Sequence, residues 1–355
     1  MKRRHRWAKS GLFVLFACVL PRSAAASSIS DELLVGANAA SGTTGAMFAR
    51  NRLSTVIDVH EQVFLRASMG YARYGATDSS DALNVFSFSG GVGVQITDHW
   101  SVGIDGNVSP KSSSRSVVPT VLPVLNGNRE VEVNATIETE TTVAGFGAYV
   151  EYDAEVNDDV ELATELSLGA TSFALNQFLP KVEFQTGREV SRSELEALCG
   201  TRCPPAIDAI LQREKAAFWQ LRATLASTMT IHENTDVGLS VSGYAYTSDP
   251  REAAQFRLGT FGQGTVESGL PLAPLLVSVR PEFTQRLGDW SLGASASWGH
   301  YKDNDGNNFG GDARVAYKVS KALRFTLGGG YQVNLLSESE PLHTYWGSFG
   351  ARVRW

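Results

Sequence analysis

Cysteine is scarce and long apolar runs are missing. The 355 residues contain three cysteines and six histidines, too few in any one place for a closed zinc set of thiols and imidazoles. No metal or cofactor is expected. No stretch of eighteen apolar residues occurs, so no helix is expected to span a bilayer. Basic excess is also missing. Lys and Arg number 31 against 37 acids, a net of −6, which excludes the positive footprint of a nucleic-acid binder.

What is present begins with the leader. "MKRRHRWAKS" is basic, "GLFVLFACVL" is apolar and "PRSAAASS" offers a small-residue Ala-x-Ala site. That order reads as a secretory signal peptide over residues 1–26, with cleavage after Ala26. A lipoprotein reading through Cys18 competes, but Phe16 is bulky for such a box. The leader takes six basic residues with it (Lys2, Arg3, Arg4, Arg6, Lys9 and Arg22). The remaining 27–355 then carries 25 basic against 37 acidic side chains. Only Cys199 and Cys203 stay. In an exported chain they read as one disulfide rather than as a thiol active site.

Beyond the leader, runs of about ten residues alternate with period two, the signature of strands. In "FSFSGGVGVQI", Phe86, Phe88, Val92, Val94 and Ile96 share one face, while Ser87, Ser89, Gly91, Gly93 and Gln95 share the other. Short turns ("VHEQVF", "ITDHWSV", "EVNDDVEL", "IHENTDVGL", "RLGDWSL", "VSKALRF") alternate with longer, more polar connections. This is the rhythm of an up-and-down antiparallel sheet whose ends face different surroundings. A soluble sandwich would alternate too. The Gly- and Ser-rich polar face, and Trp100, Trp290 and Phe325 recurring just after short turns, favour a barrel with its apolar face outward.

The chain ends on "HTYWGSFGARVRW". Tyr345, Gly347, Phe349, Ala351, Val353 and Trp355 form one row, with Trp346, Ser348, Gly350, Arg352 and Arg354 opposite. Ser348, Gly350, Val353 and Trp355 resemble the C-terminal assembly signal of bacterial outer-membrane β-barrel proteins. The resemblance implies an all-β transmembrane barrel in the bacterial outer membrane. Its partners would be the lipid bilayer and the outer-membrane assembly machinery, and its last strand would close against the first. Counting back from Trp355 predicts strands near 31–39, 46–59, 63–74, 83–96, 100–110, 137–155, 159–172, 216–231, 236–247, 274–286, 290–301, 309–319, 322–335 and 343–355. That makes fourteen, or twelve if 31–57 is an arm. The long turns lie outside and the short ones in the periplasm.

The inward faces carry sorted charge. Glu151, Asp153, Glu155, Glu161 and Glu165 form an acidic wall on the sixth and seventh strands. Arg50, Arg52, Arg66, Arg314, Lys318, Arg324, Arg352 and Arg354 form a basic wall on strands near the two ends of the chain. The layout resembles that of general porins and would set a transverse field across the lumen; alternatively, cross-lumen ion pairs fill the barrel.

The longest connection, 173–215, reads as an extracellular loop with a short helical insertion: "SRSE" at 191–194 has capping-box spacing. A Cys199–Cys203 bridge would stiffen the turn before Pro204 and Pro205. Residues 111–136 and 248–273 read as exposed, flexible connections. No histidine has a partner that would make an active site, so no catalytic residue is expected; His300 and His343 come nearest, near outer strand ends. The functional expectation is a porin-like channel for passive or selective passage of small polar solutes. The alternative is a non-conducting barrel that serves as a structural, surface-interaction or export-machinery partner.

Overall fold

The computed structural model describes residues 28–40, 46–75, 83–123, 130–157, 159–191, 193–194, 197, 214–248, 274–337 and 340–355. The leader, Cys199, Cys203 and most of 192–213 lie outside these residues.

Fourteen antiparallel strands close into one barrel. They are β1 (Ser28–Ala40), β2 (Ala46–His60), β3 (Val63–Gly75), β4 (Leu83–Gln95), β5 (Trp100–Pro123), β6 (Glu130–Asn157), β7 (Val160–Phe184), β8 (Glu214–Ile231), β9 (Thr235–Tyr246), β10 (Leu275–Leu287), β11 (Trp290–Tyr301), β12 (Gly306–Lys318), β13 (Leu323–Leu336) and β14 (Leu342–Arg354). Each pairs with its neighbours in sequence, and β14 closes on β1 from Ser28 opposite Arg354 to Ala40 opposite Leu342. Both β1 and β2 belong to the ring, so the twelve-strand alternative falls.

Period two holds around the ring because register carries it from strand to strand. Gly91 of β4 opposes Asp105 of β5, Asp105 opposes Gly147 of β6, and Gly147 opposes Gly169 of β7. A one-residue slip at any ladder would turn a polar row outward. The outward row is apolar and uncovered: Ile104, Phe146 and Leu327 are 61, 63 and 65% exposed. Inside, the described residues form one small apolar cluster, Leu175 and Phe218 with Phe173, Ala216 and Tyr246. A chain with so little core and so much outward apolar surface is matched to hydrocarbon, not to water.

Aromatic side chains edge this belt. At the short-turn end Trp100 packs on Tyr152 at 4.7 Å and Trp290 on Tyr317 at 4.6 Å between centroids, with Phe325 on Phe349 at 6.0 Å. Toward the other end stand Tyr71 with Phe86 and Tyr331 with Tyr345, each at 5.0 Å. On β11, Trp290 and Trp298 both point outward. Eight residues of a strand tilted by about 40° separate such rings by ~20 Å, close to the height of a membrane-barrel belt.

Three strands exceed expectation. Residues 111–136, expected as a flexible connection, are strand to Pro123 and again from Glu130. The start of the expected loop 173–215 is strand as far as Phe184. The Thr- and Val-rich "EVEVNATIETETT" keeps β propensity while the row that continues the outward face turns polar (Glu140, Glu138, Thr136, Asn134, Glu132), so the ladder continues past the apolar belt. The β5–β6 register shifts between Ser109 and Ser112, at Pro110, which has no N–H to give the ladder. Above it, Glu138 accepts from Arg115 at 2.9 Å, and Lys111 pairs with Glu140. At 191–194 the capping box forms reciprocally. Glu194 N–H donates to Ser191 Oγ at 3.2 Å and Ser191 N–H donates to Glu194 Oε2 at 2.9 Å.

Candidate functional site

Strands spaced ~4.8 Å apart and tilted by about 40° give a fourteen-membered ring roughly 28 Å across at the backbone. Side chains reach into that space from every second position. The predicted acids all point inward near the short-turn end. Glu151 sits directly opposite Glu165, and Glu155 opposite Glu161, with Asp153 between them opposite Ala163. Seven strands away around the ring, Lys318 is opposite Arg324 and Arg324 opposite Arg352, with Arg354 at the end of β14. The ring therefore carries two like-charged arcs facing each other.

Stability does not explain them. Two like charges ~6 Å apart in water repel by about 0.7 kcal/mol, whereas opposite charges ~15 Å apart attract by about 0.3 kcal/mol before salt screens them. Like charges on directly opposed strand positions are destabilising. Ion pairing does not relieve this: among the described residues, none of the thirteen predicted wall residues lies in an ion pair within 4 Å. Their nearest neutral partners are hydroxyls. Ser101 Oγ donates to Glu151 at 3.2 Å, Arg324 donates to Ser291 Oγ, and Arg352 donates to Ser28 Oγ at 3.1 Å. The paired lumen charges are others. Arg280 meets Glu282 at 2.7 Å and Asp312 at 2.9 Å, and Arg286 binds Asp236.

The predicted basic wall divides by height. Arg324, Arg352, Arg354 and Lys318 cluster at the short-turn mouth. Arg314 lies four residues further up β12, against Gly293. Arg50, opposite Leu34 and Ala72, lies toward the other end. Arg52 and Arg66 instead line a central cavity of about 520 Å³ that reaches across the barrel to Arg222 of β8, with Asp105, Tyr149, Glu165 and Gln220 between. Arg66 is held by its planar face, 4.8 Å from the Phe64 centroid and 5.3 Å from that of Tyr149. Tyr149 can lie against the wall because positions 93 and 103 are glycine: a Cβ at either would collide with its phenol.

Arg222, Asp105 and Gln220, and the paired Arg280, Arg286, Asp236, Glu282 and Asp312, were not among the expected site residues. The same parity rule assigns all of them inward. The expectation gathered walls of one sign, whereas β10 mixes signs, with Arg280, Glu282 and Arg286 on one strand. The assembly-signal positions Ser348 and Gly350 face the lumen and Val353 and Trp355 face outward, on the strand that closes the ring. His300 Nδ1 lies 3.1 Å from Asn307 Oδ1, and His343 Nδ1 lies 2.7 Å from the Tyr331 hydroxyl. Cys199 and Cys203 fall outside the described residues.

No family model matches the sequence, and no curated protein matches it. Solved structures do match. A FadL homologue of Pseudomonas aeruginosa is 10% identical, covers 93% of this chain and 90% of its own, and superposes with a TM-score of 0.55. A deletion mutant of TodX, a monoaromatic hydrocarbon channel, is 10% identical over 93% and 89%, with a TM-score of 0.51. The translocator domain of the autotransporter NalP from Neisseria meningitidis is 8% identical over 93% and 88%, with a TM-score of 0.45. At such identities the likeness is one of fold, and the fold is that of bacterial outer-membrane β-barrels.

Proposed function

We propose that the chain is an outer-membrane channel for passive or selective passage of small polar solutes, with its short turns in the periplasm. One observation carries the reading: an acidic arc and a basic arc face each other across the lumen, each built of like charges side by side and neither neutralised by ion pairs among the described residues. A dipolar solute entering that field aligns across it, while an apolar one gains nothing for the water it displaces. TodX is described as a hydrocarbon channel; the arginines and carboxylates around the central cavity support polar cargo here.

Under this reading residues 1–26 are removed on export, and Ser348, Gly350, Val353 and Trp355 present the last strand to the assembly machinery. Ser191 and Glu194 start a short helical insertion in the outer loop, with Cys199 and Cys203 bridged. A second reading, a non-conducting barrel that works as a contact surface, draws on the three-stranded extension of β5, β6 and β7 beyond the belt. Planar-bilayer recording separates the two. The channel reading expects stepwise, ohmic conductance from the purified chain. Silence at every voltage, persisting after deletion of 185–210, contradicts it and leaves the contact-surface reading.

A further inference from the structure

The periplasmic mouth holds a second recess, away from the central cavity. It has a volume of about 230 Å³ and is lined by Arg286, Lys318, Lys321, Arg324, Arg352 and Arg354, with Asp289 the one acid among its lining residues. Topology assembles it: β10, β12, β13 and β14 each bring cations to the same end of the ring. Of the six, Arg286 is occupied, donating to the Glu233 carbonyl at 2.7 Å and to Asp236. The other five have no carboxylate within 4 Å among the described residues. Arg324 and Arg352 each spend a donor on a serine hydroxyl. That contact fixes the direction of the guanidinium and leaves its charge uncancelled.

We propose that this recess binds a phosphate-type oxyanion, either free phosphate or the phosphoryl group of a small solute. Fixed planar guanidinium forks match the oxygens of phosphate in two-point hydrogen bonding, and lysines add point charge. A dianion would cancel repulsion that the strand register forces on Lys318, Arg324 and Arg352, which a neutral ligand cannot do. The volume fits the group: 230 Å³ corresponds to about eight waters at ~30 Å³ each, room for a phosphoryl group with a small substituent. Chloride or a single carboxylate would offset half as much of the charge as a dianion does. The site does not depend on whether the barrel conducts, so it stands or falls apart from the channel reading.

Calorimetric titration of the full chain in detergent tests it, with inorganic phosphate and a hexose phosphate in separate runs at constant ionic strength set by chloride. Saturable one-to-one binding is expected. The Arg324→Gln/Arg352→Gln double variant is expected to bind at least about tenfold more weakly, while Lys181→Gln on the outer extension binds as the parent does. Arg354→Gln, at the end of the last strand, provides a milder variant if the double one does not fold, as judged by its heat-modifiable migration. Tighter binding of the hexose phosphate identifies a solute as the source, and equal binding identifies free phosphate; either supports the site. No saturable heat with either anion, or unchanged affinity in a folded variant, overturns it.

Discussion

Arg66 gets its place from residues that carry no charge. Its guanidinium rests on Phe64 and Tyr149, and those rings need the missing side chains of Gly93 and Gly103. Gly103→Ala should push the phenol off the wall and lower stability by about 1–3 kcal/mol, the usual penalty of overpacking. Urea unfolding in lipid vesicles measures it, with Gly347→Ala as a control on the open outward face. A different residue-scale test lies outside the belt. The Ser191 amide, then Arg188, then the Ser191 hydroxyl hold the Glu194 carboxyl down to about 2. A depressed carboxylate contributes stability that is complete above its unfolded value, ~4.3, and is lost as pH falls toward 2. Carbon-13 titration should find Glu194 ionising near 2, and Arg188→Gln should move it upward.

Strands were legible because two forces agreed on them. In β11, "WSLGASASWGHY" alternates from Trp290 to Gly299, and the predicted 290–301 matches the observed Trp290–Tyr301. Where the apolar face stopped, the prediction stopped too, although the ladder did not. In β6 the upper half is held by backbone pairing and by cross-strand polar contacts, such as Arg115 with Glu138 and Asn176 donating to Glu140 at 3.0 Å. Hydropathy reports the solvent outside a strand, not the hydrogen bonds inside the sheet. The Glu138 side chain is only 12% exposed, so Arg115→Ala would leave its charge poorly solvated. A loss of roughly 1–2 kcal/mol is expected, below the figure for a fully buried pair because Arg115 is itself open to water. Hydrogen exchange should show it as faster opening of the β5–β6 extension alone, with the lower ladder unchanged.

At the scale of the whole molecule, closure turns a linear charge pattern into a spatial one. Glu151 and Arg352 are some two hundred positions apart in the chain, yet ring order puts their strands on opposite sides. Parity and strand count, both read from sequence, assign these side chains inward on facing strands but give no height, and of the eight basic residues only Lys318, Arg324, Arg352 and Arg354 share the short-turn mouth. The central cavity was not legible in the same way. Arg52, Arg66 and Arg222 meet there because of strand stagger, a property of the ladder registers that no single stretch encodes. The outward belt makes a simple demand on handling: without detergent or lipid, the purified barrel should aggregate, and a monodisperse species in plain buffer would remove the basis for a membrane pore.

The two arcs are the center of the account, and reversal potential in a salt gradient reads them most directly. Arg352→Glu should shift the reversal potential toward cation selectivity and Glu161→Lys toward anion selectivity, by comparable amounts and with opposite sign. If both variants conduct and neither moves the reversal potential, ions do not pass between these arcs and the charged lumen is not the conducting path.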